Sequence, residues 1–228
     1  MLMRATVLDQ IPVKLDYIEV LRRLKRSQTD PEVESIKTLV NEAKEITRPK
    51  ALYKEAYIQS RTDDELVVEG ITFHSRVLSV NLQNAHRFIA YVVTCGKELE
   101  EWSKGIPDLL LNYYAEAIKE IALRQAVQYL NEHLERTFRL GKTSHMSPGS
   151  LEDWPISQQK PLFQLLGNTE ESIGLKLTDS FLMIPVKSLS GIRFSTEADF
   201  ENCMLCPRTD CPGRRVTYDP KLYESRYK

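Results

Sequence analysis

Leu177-Thr178-Asp179-Ser180-Phe181-Leu182-Met183-Ile184-Pro185-Val186-Lys187-Ser188-Leu189-Ser190-Gly191 is the stretch on which the reading of this chain turns. Leu177–Pro185 reads as a strand, and Ser190–Ser195 as another. Taken alone, the pair packs a sheet and needs no ligand. A helix is expected upstream, after Pro155, and before it a loop from Lys142 to Trp154, rich in Ser and Gly. In that loop Pro148-Gly149 reads first as a plain turn, because Pro presets φ and Gly permits a positive one or a close backbone approach.

Farther upstream the longest helix is expected from Pro107 to Phe138. Leu110, Tyr114, Ile118, Ala122, Ala126, Leu130 and Leu134 recur every fourth residue, while Glu116, Glu120, Arg124, Gln128 and Glu132 form a polar row. Arg87–Cys95 reads as a buried strand, and Glu98–Trp102 as a short helix. Ala51–Ser60 and Glu65–His74 read as a hairpin about Thr62-Asp63-Asp64. Val13–Lys25 has helical spacing, and a second helix is expected from Thr29-Asp30-Pro31-Glu32 to before Pro49. Helices and strands mix without a regular βαβ rhythm, so the fold class is α+β: a mainly antiparallel twisted sheet with flanking helices. Three regions follow: an N-terminal helical segment, 1–50, packed on the main domain; an α+β domain, 51–200; and a Cys- and Arg-rich C-terminal tail, 201–228.

The chain has 228 residues, 42% hydrophobic and 28% charged, with a formal charge of -1. This is globular composition without the basic excess that nucleic acid or anionic lipid demands, so neither is an expected partner. No window approaches the roughly 18 apolar residues of a membrane span. Met1-Leu2-Met3-Arg4-Ala5-Thr6 does not read as a secretory signal, and the expected address is the cytoplasm, where thiols stay reduced.

Four segments together carry a resemblance: Tyr129-Leu130-Asn131-Glu132, Pro148-Gly149 followed by Pro155, Leu162-Phe163-Gln164-Leu165-Leu166 and, most specifically, Leu177–Gly191. The pattern L-T-(acid)-S-F-x-M-x-P-x-x-S-x-S-G resembles that of the activation domain of cobalamin (vitamin B12)-dependent methionine synthase. The resemblance covers the second half of the chain well and the first half by general layout. It implies an activation-domain-like fold that binds S-adenosylmethionine in a concave face and docks on a cobalamin-carrying domain. It implies as partners a methionine synthase lacking its own activation domain and an electron-donor protein. The ligand loop of that family reads Arg-x-x-x-Gly-Tyr. Here His145 stands at the Arg position, Gly149 is kept, and Ser150 stands at the Tyr position. A Glu on the long helix is replaced by Arg124. Pro148 and Gly149 are the candidate S-adenosylmethionine contacts.

Cys203-Met204-Leu205-Cys206-Pro207-Arg208-Thr209-Asp210-Cys211-Pro212 is a separate feature. Two thiolates two residues apart can turn onto one ion, as in zinc and iron–sulfur sites, and a third lies close by. Cys203, Cys206 and Cys211 are therefore candidate metal ligands, with Cys95 or His145 as a fourth. Inert or redox-active thiols are the alternative. Pro207 and Pro212 would stiffen the loop. Arg214-Arg215 suits a phosphate, a carboxylate or an acidic surface, or is simply solvated. His74, His86 and His133 do not cluster with carboxylates. Glu132 and Glu135 are one helical turn apart, as on a solvated face. Trp154 lines the cleft beside Gly149 or caps the core.

The leading expectation is an accessory protein for reductive methylation of a cobalamin-dependent methionine synthase, with no turnover alone. The alternatives are a zinc- or iron–sulfur-binding redox protein that reduces a corrinoid protein without S-adenosylmethionine, and a docking module with a degenerate pocket.

Overall fold

Alternation along two strands builds the centre of the molecule. The computed structural model describes residues 4–197, 200–208, 210–211 and 213–228. Strands β2 (Lys50–Arg61) and β5 (Arg87–Thr94) pair antiparallel over eight register positions, from Lys50 opposite Thr94 to Tyr57 opposite Arg87. Successive side chains point to opposite faces. Leu52, Ala56, Phe88, Ala90 and Val92 enter one core, while Ala51, Tyr53, Ile89, Tyr91 and Val93 enter another. Both faces are covered, so β5 is apolar almost throughout.

The remaining strands extend this pair. β1 (Thr6–Leu8) and β3 (Glu65–Val68) lie along different parts of β2, and β4 (Ile71–His74) follows β3. On the other side come β9 (Ser188–Ser195) and then β6 (Thr143–Met146). The seven-stranded sheet runs β4-β3-β2-β5-β9-β6, with β1 on β2, and every pairing is antiparallel.

The expected run Glu65–His74 is two strands, because Glu69 (φ 51°) and Gly70 (φ 78°) turn the chain back on itself. Leu177–Pro185 is not one strand either. Lys176–Leu177 (β7) and Met183–Ile184 (β8) pair with each other, about a turn in which Thr178 accepts from Leu182 and Phe181 has φ 63°. The expected loop 142–154 begins with β6.

Helix α5 (Leu109–Phe138), capped by Asp108 on the N–H groups of Leu110 and Leu111, crosses the face that holds Tyr53 and Tyr91. From Tyr114 to Leu134 its expected apolar row is buried, while Leu110 is exposed. The N-terminal half of α5 packs with α1 (Tyr17–Arg23), α2 (Val33–Ile46) and α4 (Lys97–Lys104) around Leu21, Ile36, Leu39 and Leu99. The opposite sheet face is covered by α3 (Arg76–Asn81), α6 (Gln159–Leu166) and α7 (Thr169–Ile173). Trp154 is fully buried there and caps the core. Two short helices, α8 (Asn202–Leu205) and α9 (Leu222–Arg226), belong to a C-terminal arm whose Phe200 and Tyr227 enter the same core.

Candidate functional site

Register decides which polar side chains meet beside α5. Gly191 of β9 pairs with Tyr91 of β5, and Arg193 of β9 pairs with His145 of β6. The four share one face, the one on which α5 lies, because residues two apart on a strand point the same way. Gly191 is there because nothing larger fits. A Cβ would lie 2.5 Å from the Met146 carbonyl oxygen, 2.8 Å from Ser147 Oγ and 3.0 Å from Tyr91 Oη. Gly191→Ala is therefore expected to cost about 1–3 kcal/mol by overpacking, measured by chemical denaturation. A loss below a few tenths of a kcal/mol would contradict this close approach.

Arg193 is held from three sides. Its Nε donates to Thr143 Oγ1 at 3.1 Å and its Nη1 to Asn131 Oδ1 at 2.9 Å, with Glu135 at 3.9 Å. Arg215 arrives from the C-terminal arm. Its Nη1 lies 3.5 Å from His145 Nδ1, and its Nη2 lies 2.8 Å from Glu201 Oε2. Burial, then the charges of Arg215 and Arg193, push the His145 pKa down to about 4. The imidazole is thus neutral at physiological pH and can accept from a guanidinium. Burial raises the Tyr91 hydroxyl to about 12, against the opposing effect of its hydrogen bond with Ser147, so it stays protonated.

The loop beyond β6 follows the sequence reading in part. Pro148 is buried, and Gly149 has φ 83° and donates its N–H to the Trp154 carbonyl at 2.8 Å. A Cβ on Gly149 would lie 2.7 Å from Ile156 Cδ1. Gly149 and Ser150 line a cleft of about 880 Å³, together with Asp153, Ile156, Leu205, Pro207, Tyr218 and Tyr223. The structure therefore brings the candidate ligand loop and the C-terminal arm to one cleft. Arg124 stands exposed on α5, 3.4 Å from Glu120, whose carboxylate also takes two hydrogen bonds from Arg23.

Cys203, Cys206 and Cys211 are free and half-buried. Among the described residues no three His, Cys, Asp or Glu side chains stand together as a group that could hold a metal ion. Neither fourth-ligand candidate joins the loop. Cys95 is fully buried with α2, α4 and α5, and His145 faces Arg215. Pro212 and Thr209, part of the motif, lie outside the described residues. His133 is neighbour to Tyr53, whose hydroxyl is 3.0 Å from Nε2, and burial followed by Arg136 lowers its pKa.

Sequence reasoning missed Arg193 and Tyr91. The alternation of β9, with Ile192 and Phe194 buried on one face and Gly191 and Arg193 on the other, is the signal that marks Arg193. Tyr91 carried none, lying inside a continuous apolar run.

The architecture defines a class first: an α+β fold of the methionine synthase reactivation type. The chain matches a solved structure titled "Crystal Structure of the MetH Reactivation Domain bound to AdoHcy" with a TM-score of 0.66 and 14% identity, over 87% of this chain and 81% of that one. Residues 102–202 in turn match the family described as vitamin B12 dependent methionine synthase, activation domain. That segment contains α5, the Pro148-Gly149 loop and the whole of Leu177–Gly191, so the resemblance these residues carry is borne out. No curated protein matches the sequence. No helix among the described residues is long and apolar enough to cross a membrane.

Proposed function

We propose that this protein is an accessory factor in the reactivation of a cobalamin-dependent methionine synthase, acting as a separate chain that docks on the cobalamin-carrying domain and presents S-adenosylmethionine to it. The observation that carries the ligand half of this reading is the position of Arg215. The family pattern has an arginine where this chain has His145, and the C-terminal arm returns a guanidinium to within 3.5 Å of that imidazole. A neutral imidazole cannot grip a carboxylate with parallel charge-assisted hydrogen bonds, and a guanidinium can.

In the implied reaction a separate donor protein would supply the electron that reduces the partner's cobalamin, and the sulfonium methyl would then pass to it with release of S-adenosylhomocysteine. This chain's share is to bind and orient. Arg215, with its side chain 46% exposed, meets the ligand carboxylate at the mouth of the site. Arg193 is fixed behind it by Thr143 and Asn131. The Gly149–Ser150 turn borders a cleft shared with Leu205, Pro207 and Tyr218 of the C-terminal arm.

Calorimetric titration with S-adenosylmethionine tests this. Binding is expected, and Arg215→Ala is expected to weaken it about 10- to 100-fold, since a hydrogen bond to a charged group contributes about 1.5–3 kcal/mol. Co-purification with a methionine synthase that ends before its activation domain tests docking separately. No heat at millimolar ligand together with a stable complex would leave a docking module; failure of both would overturn the reading.

A further inference from the structure

We propose that the thiolates of Cys203, Cys206 and Cys211 form a binding site for a thiophilic metal centre. The proposal can be tested separately from S-adenosylmethionine binding, because it uses the three thiols and none of the side chains assigned to the ligand, although Leu205 and Pro207 of the same loop line the cleft beside Gly149.

The first observation is how the backbone is wound. The guanidinium of Arg214 is enclosed by carbonyl oxygens of its own loop. Nη1 donates to Cys203 and Val216, each at 3.0 Å, and Nη2 donates to Cys206 at 2.9 Å and to Arg208 at 2.5 Å. The Arg214 N–H closes the turn on the Cys211 carbonyl at 3.0 Å. All three cysteines thus have their main chains tied to one arginine. Cys203 and Cys206 are one turn apart, within and just after α8. Arg214 gathers the loop but leaves the thiols free.

The second observation is unmet polar capacity at the same place. Arg214 Nε and Asn202 Oδ1 are buried without a hydrogen-bond partner. A buried donor without a partner costs about 1–3 kcal/mol, and of these two atoms Arg214 Nε is the one that an anionic thiolate centre could satisfy. On loading, a ligating thiolate turned toward Arg214 Nε would supply the acceptor.

The third consideration is charge. A divalent ion with three thiolates carries one net negative charge, and a guanidinium beside it restores neutrality. The same argument holds for an iron–sulfur cluster ligated by three thiolates, which is also anionic. Loading exchanges three thiol protons for the metal. It requires the thiol side chains to turn toward one point, which they do not occupy together as the loop stands. Three protein ligands leave one coordination position for a fourth group, as in open zinc sites.

The test uses the full chain, purified anaerobically. Cys95 is fully buried and serves as an internal control, since it is slow to react with a thiol reagent whether or not metal is present. The three arm cysteines are expected to react quickly in metal-free protein. They are expected to be protected together, with about one zinc ion bound per chain, after addition of zinc. In a parallel arm with ferrous iron and sulfide, a broad visible absorption that bleaches on reduction identifies a cluster instead. Cys206→Ser is expected to abolish stoichiometric binding, and Cys95→Ser to leave it unchanged. If Cys206→Ser fails to fold, the protection pattern of the unaltered chain decides. Three thiols that stay fully reactive in both arms, with no metal retained after desalting, would overturn the proposal.

Discussion

Lys119→Ala is expected to destabilise the protein by about 3 kcal/mol near neutral pH, toward the lower end of the range for breaking a buried ion pair, and to lower its melting temperature by roughly 10 °C. The Lys119 side chain is 2% exposed inside the cluster formed by α1, α2, α4 and α5. Its ammonium group lies 2.8 Å from Glu100 Oε2, 2.9 Å from Ser103 Oγ and 2.5 Å from Glu116 Oε1. Removing it leaves Glu100, itself 6% exposed, as a buried carboxylate. Lys104 at 3.2 Å compensates in part, which is why the lower end is expected.

The pH dependence has a definite sign. Burial alone would raise the Glu100 pKa, but the hydrogen bonds and charges of Lys119 and, less, of Lys104 together outweigh it and hold Glu100 below its usual value. Burial alone would lower Lys119, and its two carboxylate partners hold it above its usual value. A depressed carboxylate stabilises the fold above its unfolded pKa of about 4.3, and that contribution is lost as pH falls through the folded value. A raised lysine stabilises the fold below its unfolded pKa of about 10.4, and that contribution is lost as pH rises through the folded value. The difference between wild type and Lys119→Ala should therefore be flat between about pH 5 and 10 and shrink on both sides. Denaturation at pH 4, 7 and 10.5 measures it, and a pH-independent difference would refute the assignment. The double replacement Lys119→Met, Glu100→Leu should recover most of the loss. The network also reaches the start of β9, because Glu116 lies 3.5 Å from Lys187, whose carbonyl accepts from Cys95 N.

Elements long enough for a period to establish itself were legible in the sequence. The four-residue apolar row marks α5 within two residues of its start and exactly at its end, and continuous apolar character marks β5. Short elements were not legible. β6 reads Thr143-Ser144-His145-Met146, with a polar residue at a buried position. Ser144 is buried because its hydroxyl donates to the Phe200 carbonyl at 2.7 Å, a partner 56 residues away. The hairpin Lys176–Ile184 was hidden because its turn uses Phe181 at positive φ instead of a glycine. In the candidate site, Pro148-Gly149 was visible as a motif, since its backbone demand is local. The meeting of His145, Arg193 and Arg215 was not. It depends on the pairing of β6 with β9 and on an arm that returns across 70 residues. The cysteine motif was visible from spacing alone, but the role of Arg214 in winding its loop follows only from the fold.

Tyr227→Ala is expected to release the C-terminal arm, with arm cleavage by trypsin at Arg208, Arg214 or Arg215 accelerated by about 100-fold or more. Tyr227 is fully buried. Its ring meets Phe200 edge-on at 6.4 Å, its hydroxyl donates to Asn81 Oδ1 at 2.9 Å, and its carbonyl accepts from Arg76 Nε. Truncating a buried aromatic residue to Ala typically costs about 3–5 kcal/mol, and in an arm of two short helices anchored by few buried side chains that cost is met most easily by local opening of the segment. A loss of 3 kcal/mol raises the open population by about two powers of ten, and cleavage that follows rapid opening rises in proportion. Tyr227→Phe keeps the ring and loses only the hydroxyl hydrogen bond, so about 1 kcal/mol and a roughly fivefold change are expected. Because Arg215 reaches His145 only while the arm is seated, Tyr227→Ala should also reproduce the affinity loss of Arg215→Ala for S-adenosylmethionine, and combining the two should add little. Time-resolved proteolysis with mass assignment of the fragments, beside calorimetry of the same variants, checks both statements. Unchanged cleavage in Tyr227→Ala would show that the arm is held by contacts other than this anchor, and additive affinity losses would show that Arg215 and Tyr227 act on the ligand by separate routes.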